Sequence, residues 1–202
     1  MENTIQSTKL DLREYLLVAR PDAAVNAKVL AETADFHTRY KQQGKATAQP
    51  YIAVASFQAK DAMEETIIRY TQRICSLKAS FTVELNNYSG YPPHTVYLRV
   101  QNPQPFRELA RDLKVVNNYV TSCACPSASL IAHPSLVIAR QLPETVYLAA
   151  LMDYSQRTFH ETFMVNELVL LKRNHEYDTC KTIHVFRLQP PGYQPFTYSQ
   201  YN

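Results

Sequence analysis

The chain has 202 residues, of which 19% are charged and 46% apolar, with a formal net charge of +3. Its three glycines, Gly44, Gly90 and Gly192, stand too far apart for G-x-x-x-x-G-K-[ST] or G-x-G-x-x-G. P-loop, kinase and dinucleotide-fold chemistry is therefore excluded, and so is the G-x-S-x-G nucleophile elbow.

The first apolar run, residues 15–19 (YLLVA), reads as a buried strand. Pro21 and Asp22 open a helix that runs to about Tyr40, with Val25, Val29, Leu30 and Phe36 at helical spacing. A polar loop follows to Gln49, and Pro50 leads a second strand over residues 51–57 (YIAVASF). Asp61 with Glu64 three residues on resembles a capping box and predicts a helix to Cys75. Residues 81–85 (FTVEL) alternate as a half-buried strand, and residues 94–100 (HTVYLRV) alternate again. A helix over 105–113 is followed by an irregular loop over 117–132. Pro134 then leads a strand over 135–139 (SLVIA), and Pro143 a helix to about Tyr154. Strands over 163–171 and 182–188 complete the pattern before a Pro-, Tyr- and Gln-rich tail, 189–202.

The mild positive charge, without long Lys/Arg runs, admits a phosphate-bearing ligand but does not require one. Cys75, Cys123, Cys125 and Cys180 form neither C-x-x-C pairs nor a disulfide framework. The histidines lack H-x-x-x-H spacing, so no metal and no cofactor is expected. No signal-like segment opens the chain, and no apolar run nears the ~20 residues of a membrane span. A cytoplasmic protein with no membrane partner is expected.

The two halves share an order: strand, helix, proline-led strand, helix, strand. The predicted fold class is α+β, a bilobal pseudo-symmetric domain with two antiparallel sheets flanking a central cleft and helices outside. The first lobe is expected over about 12–90 and the second over about 91–188, with an irregular tail after it. Strand alternation puts Ile52, Val54, Leu136 and Ile138 under the helices. It turns Tyr51, Ala53 and Ala55, like Ser135, Val137 and Ala139, toward the cleft.

This order, with Gln49 to Phe57, Tyr91 to Val100, Pro134 to Leu142 and Leu168 to Arg173, resembles the two-histidine (2H) phosphoesterase superfamily. The likeness is closest to its bacterial 2′-5′ RNA ligase family. The resemblance implies a Pro-His-x-Thr/Ser motif in each half, the two histidines acting as base and acid on a 2′,3′-cyclic or 2′-5′ phosphodiester without a metal. Residues i and i+2 of a strand share a face, which is why histidine and hydroxyl would point into the cleft together.

Both motifs are degenerate here. The first reads Pro50-Tyr51-Ile52-Ala53 and the second Pro134-Ser135-Leu136-Val137, so both histidines and both hydroxyls are gone. His133-Pro134-Ser135 fits H-x-S only if the motif slides by two residues, which displaces the imidazole by ~7 Å along the strand. His94, Tyr97, Arg99 and Tyr51 are the expected ligand-binding residues, aromatic faces beside a guanidinium suited to phosphate. Lys172 and Arg173 close a strand and are expected in solvent, with a phosphate-binding role as the less favoured alternative.

Three readings follow. The favoured one is a pseudoenzyme whose cleft binds a nucleotide, an RNA end or another phosphorylated small molecule. The second is an active phosphodiesterase using His133 with His94 or Tyr51. The third is an interaction protein whose cleft is filled by its own residues.

Overall fold

A computed structural model describes residues 12–41, 49–91, 93–131, 133–174 and 179–194. Its strands are β1 (Leu12–Ala19), β2 (Ile52–Lys60), β3 (Phe81–Tyr91), β4 (Thr95–Val100), β5 (Ser129–Leu130), β6 (Ser135–Ala139), β7 (His160–Val165), β8 (Glu167–Arg173) and β9 (Lys181–Arg187). The helices are α1 (Ala23–Arg39), α2 (Glu64–Cys75), α3 (Gln104–Asp112), α4 (Lys114–Ser122) and α5 (Glu144–Tyr154). The α+β class holds, with antiparallel strand pairing throughout the sheet.

The strands run in the order β7-β3-β4-β6-β2-β1-β8-β9, with β5 attached to β2. This order reads as two halves, β7-β3-β4-β6 and β2-β1-β8-β9, joined at one register pair, Ile52 with Leu136. Each half mirrors the other about that pair. The last strand of each sequence repeat crosses over: β3 pairs with β4, and β8 pairs with β1. The halves meet again at the far side. A single residue, Asn166, separates β7 at one end of the order from β8 near the other. Gln189, after β9, bonds to Ser80 and Lys78 just before β3.

One face of this sheet carries the helices. The helices α3 and α4 lie on β2, α2 packs on β9, α1 on β6 and β7, and α5 on β3 and β4. The core between them includes Tyr15, Leu17, Phe36, Ile52, Leu98, Leu136 and Tyr154, all at most 1% exposed. The strands β1 and β8 are apolar on both faces, so Leu16, Val18, Val169 and Leu171 form a second, smaller cluster on the opposite face, with Tyr51 packed on it.

Alternation predicts the faces of β2 and β6 up to one point in each. Ile52, Val54, Leu136 and Ile138 are buried as expected. Both Ala55 and Ala139, expected in the cleft, are buried, at 1% and 6%; Ala139 still lines it, whereas Ala55 does not reach it. The cause is a β-bulge in each strand. Ala53 and Ala55 pair with consecutive residues Val18 and Leu17, while Val137 and Ala139 pair with Tyr97 and Val96. The extra residue reverses the inward phase beyond it.

Three other expectations are corrected. The predicted capping box does not form: a short 3-10 turn, Asp61–Met63, precedes α2 with no side-chain cap. The Asp61 carboxylate instead accepts from Lys172 Nζ at 2.6 Å and lies 3.3 Å from Arg13 Nε. Residues 117–132 are not all loop; α4 and β5 lie there. Asn117, Asn118 and Thr121 hid the helix, because their weak propensity is overridden when Val116 and Val120 bury on the core. The apolar stretch 163–171 is two strands, because the chain changes sheet halves at Asn166.

By contrast, α1 begins as the sequence implies. Asp22 is its N-cap, and its carboxylate accepts from the Val25 amide at 2.9 Å. Its outer side joins α5 through charge: Arg157 reaches Asp35 at 2.8 Å and Asp153 at 3.2 Å, and lies 4.3 Å over the Tyr154 ring.

Two predictions follow from this packing. A Cβ on Gly90 would lie 2.5 Å from the Tyr147 hydroxyl, so Gly90→Ala must push that ring out of its seat against His94. The expected loss is about 1–3 kcal/mol of unfolding free energy in urea denaturation. The Arg157 hydrogen bond holds the Asp35 carboxyl below its usual range, and the Lys172 ammonium does the same for Asp61. The stabilisation from both is present above the ordinary carboxylate pKa and disappears as pH falls through the lowered values. Melting temperatures followed from neutral pH to about pH 2 should therefore drop at the acid end, less steeply in Asp35→Asn.

Candidate functional site

The concave face of the sheet holds a cleft of about 1330 Å³. Its centre is the crossing of β2 and β6. Because Ile52 opposes Leu136 in an antiparallel pair, Tyr51 comes opposite Val137 and Ala53 opposite Ser135, all four on the cleft face. Positions 51 and 135 are then diagonal neighbours, roughly 7–8 Å apart at the backbone. That diagonal is wide enough to seat a phosphate between two imidazoles. Here it holds a phenol and a primary hydroxyl, with two methyl-bearing side chains on the other diagonal.

Tyr51 leans away from the crossing, onto Leu16, Val18, Val169 and Leu171. It therefore presents an aromatic ring seated on an apolar floor. On the opposite wall Tyr91 and Tyr97, neighbours across β3 and β4, lie with ring centroids 5.0 Å apart. The cleft thus has an aromatic surface on each side. At the edge near Tyr51, Glu14 and Arg173 face each other across β1 and β8 and form a two-pronged ion pair, 2.7 and 2.8 Å. The Glu14 carboxylate holds the Arg173 proton more tightly than usual, raising its pKa.

The expected site residues divide. Tyr51, Ala53, Ser135, Val137, Tyr97 and the displaced His133 line one cleft. His94 and Arg99 are not among its lining residues. His94 sits in the turn before β4 with φ 47°, its Nδ1 3.1 Å from the Leu142 carbonyl and its ring 5.1 Å from Tyr147. Arg99 lies opposite Ser135 in the β4–β6 register, but its Nε donates to the Asn86 carbonyl at 3.2 Å. Lys172 is 20% exposed rather than solvent-facing, held by Asp61 and Glu64 on the helix side.

Sequence reasoning missed several cleft residues, Tyr91 and Arg140 among them. Thr33 and His37 come from α1, where four-residue spacing places them on one helix face. That spacing was readable; that this face borders the cleft was not. Glu14, and its pairing with Arg173, were missed because 159 positions separate the two in the chain. His175 lies outside the described residues.

Among the described residues no group of three His, Cys, Asp or Glu side chains is placed to hold an ion. The Cys125 thiol faces the Met63 sulfur at 3.7 Å. Burial pushes the Cys75 thiol up to about 12, which makes it a poor nucleophile. No helix among the described residues is long and apolar enough to cross a membrane.

A two-fold repeated α+β sheet with a cleft over its central strand crossing defines a phosphoesterase-like architecture. The family model of the 2′-5′ RNA ligase superfamily matches residues 21–176, and the chain belongs to that superfamily. Among solved structures, E. coli LigT complexed with 3′-AMP is similar at a TM-score of 0.62 and 13% identity, over 88% of this chain and 98% of that one. TT0787 of Thermus thermophilus is similar at 0.62 and 14%, over 88% and 99%. E. coli LigT in apo form is similar at 0.58 and 13%, over 88% and 98%. No curated protein matches the sequence.

The seat of Tyr51 is testable by itself. Tyr51→Phe should leave stability within about 0.5 kcal/mol, while Tyr51→Ala should cost about 1–2 kcal/mol by uncovering the apolar floor. Equilibrium denaturation in urea distinguishes the two.

Proposed function

We propose that this protein is a binding member of the 2′-5′ RNA ligase superfamily, without the family's acid–base chemistry. Its cleft receives a nucleotide, an RNA end or another phosphorylated small molecule. The observation that carries this reading is the central crossing, where Tyr51, Ala53, Ser135 and Val137 stand together in place of two imidazoles and two hydroxyls.

The chemistry of those side chains supports it. General acid–base catalysis of phosphodiester transfer near neutral pH needs groups that titrate there. A phenol ordinarily ionises near pH 10 and a serine hydroxyl far higher, so neither exchanges a proton readily at pH 7. Ala53 and Val137 offer no donor to phosphate oxygens. What the cleft retains is suited to binding: aromatic faces on both sides and two guanidinium groups, Arg140 and Arg173. E. coli LigT, similar in fold, has been crystallised with 3′-AMP. The reading takes the protein as cytoplasmic, in keeping with four free thiols.

A second reading is favoured by one observation: His133 and His37 both line the cleft. A rearranged pair built on His133 would restore cyclic phosphodiester opening. The volume of the cleft weighs against the third reading, that its own described side chains fill it.

Hydrolysis of 2′,3′-cyclic AMP, followed by chromatography, separates these readings. No turnover above the buffer rate is expected, together with a rise in melting temperature on adding 3′-AMP. Turnover that His133→Ala abolishes would establish the second reading instead.

A further inference from the structure

The motif that the family resemblance implies would place a hydroxyl at positions 53 and 137 of the cleft centre. Here that centre is Ala53 and Val137, so an anionic group finds no side-chain donor at those two positions. The cleft wall does contain guanidinium groups, and they differ. Arg140, beyond the end of β6, is exposed. Arg173, at the end of β8, is 21% exposed and fixed in orientation by a two-pronged pair with Glu14, itself 23% exposed.

The pair is unlike the other strong ion pairs of the fold. Lys172 with Asp61 and Glu64, Arg157 with Asp35 and Asp153, Lys28 with Glu161, and Lys78 with Asp112 tie helices to strands, to loops or to each other. None of those residues lines the cleft. Glu14 and Arg173 join adjacent strands already paired through their backbones, and both face the cleft. Tyr51, at the position where the family resemblance implies histidine, is near enough to Arg173 to influence its ionisation. The mirror-related edge, around Pro93 and Tyr91, carries Arg140, the residue after the Ala139 partner of Val96, and no carboxylate among the described lining residues stands beside it. A guanidinium fork that fits a carboxylate with two parallel hydrogen bonds fits a phosphate monoester in the same way.

We propose that Arg173 is the anion-binding residue of this cleft and that Glu14 is its built-in competitor. A phosphate monoester binds at the Tyr51 edge of the cleft, off the central crossing, by taking the fork that Glu14 occupies. The empty-cleft protein thus keeps its cation neutralised, and ligand affinity is set by the exchange of one oxyanion for another. This rests on the binding function proposed above and adds where the phosphate sits and what limits its affinity.

The test is calorimetric titration with 3′-AMP, with adenosine as the uncharged control, on the full chain. Glu14→Gln removes the competing charge and should tighten 3′-AMP binding roughly three- to tenfold. Arg173→Gln, and the Glu14→Gln/Arg173→Gln double variant, should weaken it roughly tenfold or more against Glu14→Gln. Adenosine binding should change in none of them. The double variant removes both members of the pair, and a melting curve verifies that each protein is folded. If Glu14→Gln binds 3′-AMP no better than the wild type, or the double variant binds as well as Glu14→Gln, the proposal is wrong and the binding function stands. If neither the wild type nor Glu14→Gln binds 3′-AMP, both fail.

Discussion

The contact on which the rest of this structure depends is the pairing of Ile52 with Leu136. Both side chains are fully buried, and through them two half-sheets become one surface. Antiparallel pairing at that point dictates which residues oppose each other on the other face, so the composition of the cleft centre follows from one register. A slip of one residue would turn Tyr51 and Ser135 into the core and Ile52 into the cleft. The hydrophobic cost of that exchange fixes the register. The bulge at Val54 then returns β2 to the core, whereas beyond the matching bulge at Ile138 the residues Ala139, Arg140 and Gln141 still line the cleft.

The charges divide by role in a way that burial alone does not reveal. Lys172 sits between two carboxylates and beneath the Tyr15 ring, 5.6 Å from its centroid, and anchors α2 to β1 and β8. Arg157 ties α5 to α1. These cations are held on the helix side and add to cohesion between layers. Arg173 is one residue from Lys172, and strand alternation sends it to the opposite face. Adjacent basic residues therefore serve the fold and the cleft separately.

The protein also separates architecture from chemistry. Similar structures share its fold at 13–14% identity, which the hydrophobic pattern sustains because packing tolerates substitution of one apolar side chain for another. A proton-transfer site does not tolerate such substitution, since it depends on particular side chains at particular positions. Membership of the superfamily therefore carries no activity with it, and function must be argued from the residues in the cleft.

Much of this could be read from the residues themselves. Proline-led apolar runs marked β2 and β6, Asp22 marked the start of α1, and alternation assigned Ile52, Leu136, Tyr51 and Ser135 to their faces. The repeated order of elements pointed to the superfamily, and the loss of four motif side chains was visible without coordinates. These are local properties, set by periodicities of two and 3.6 residues and by side-chain chemistry at a short spacing. What the tertiary structure alone decided was everything that joins distant segments. It turned Asp61 from a cap into an ion-pair partner, split 163–171 between two sheet halves, withdrew His94 and Arg99 from the cleft, and brought Thr33, His37, Glu14 and Arg173 to it. No local pattern encodes these, because a pair 159 positions apart exists only once the sheet has closed on its register.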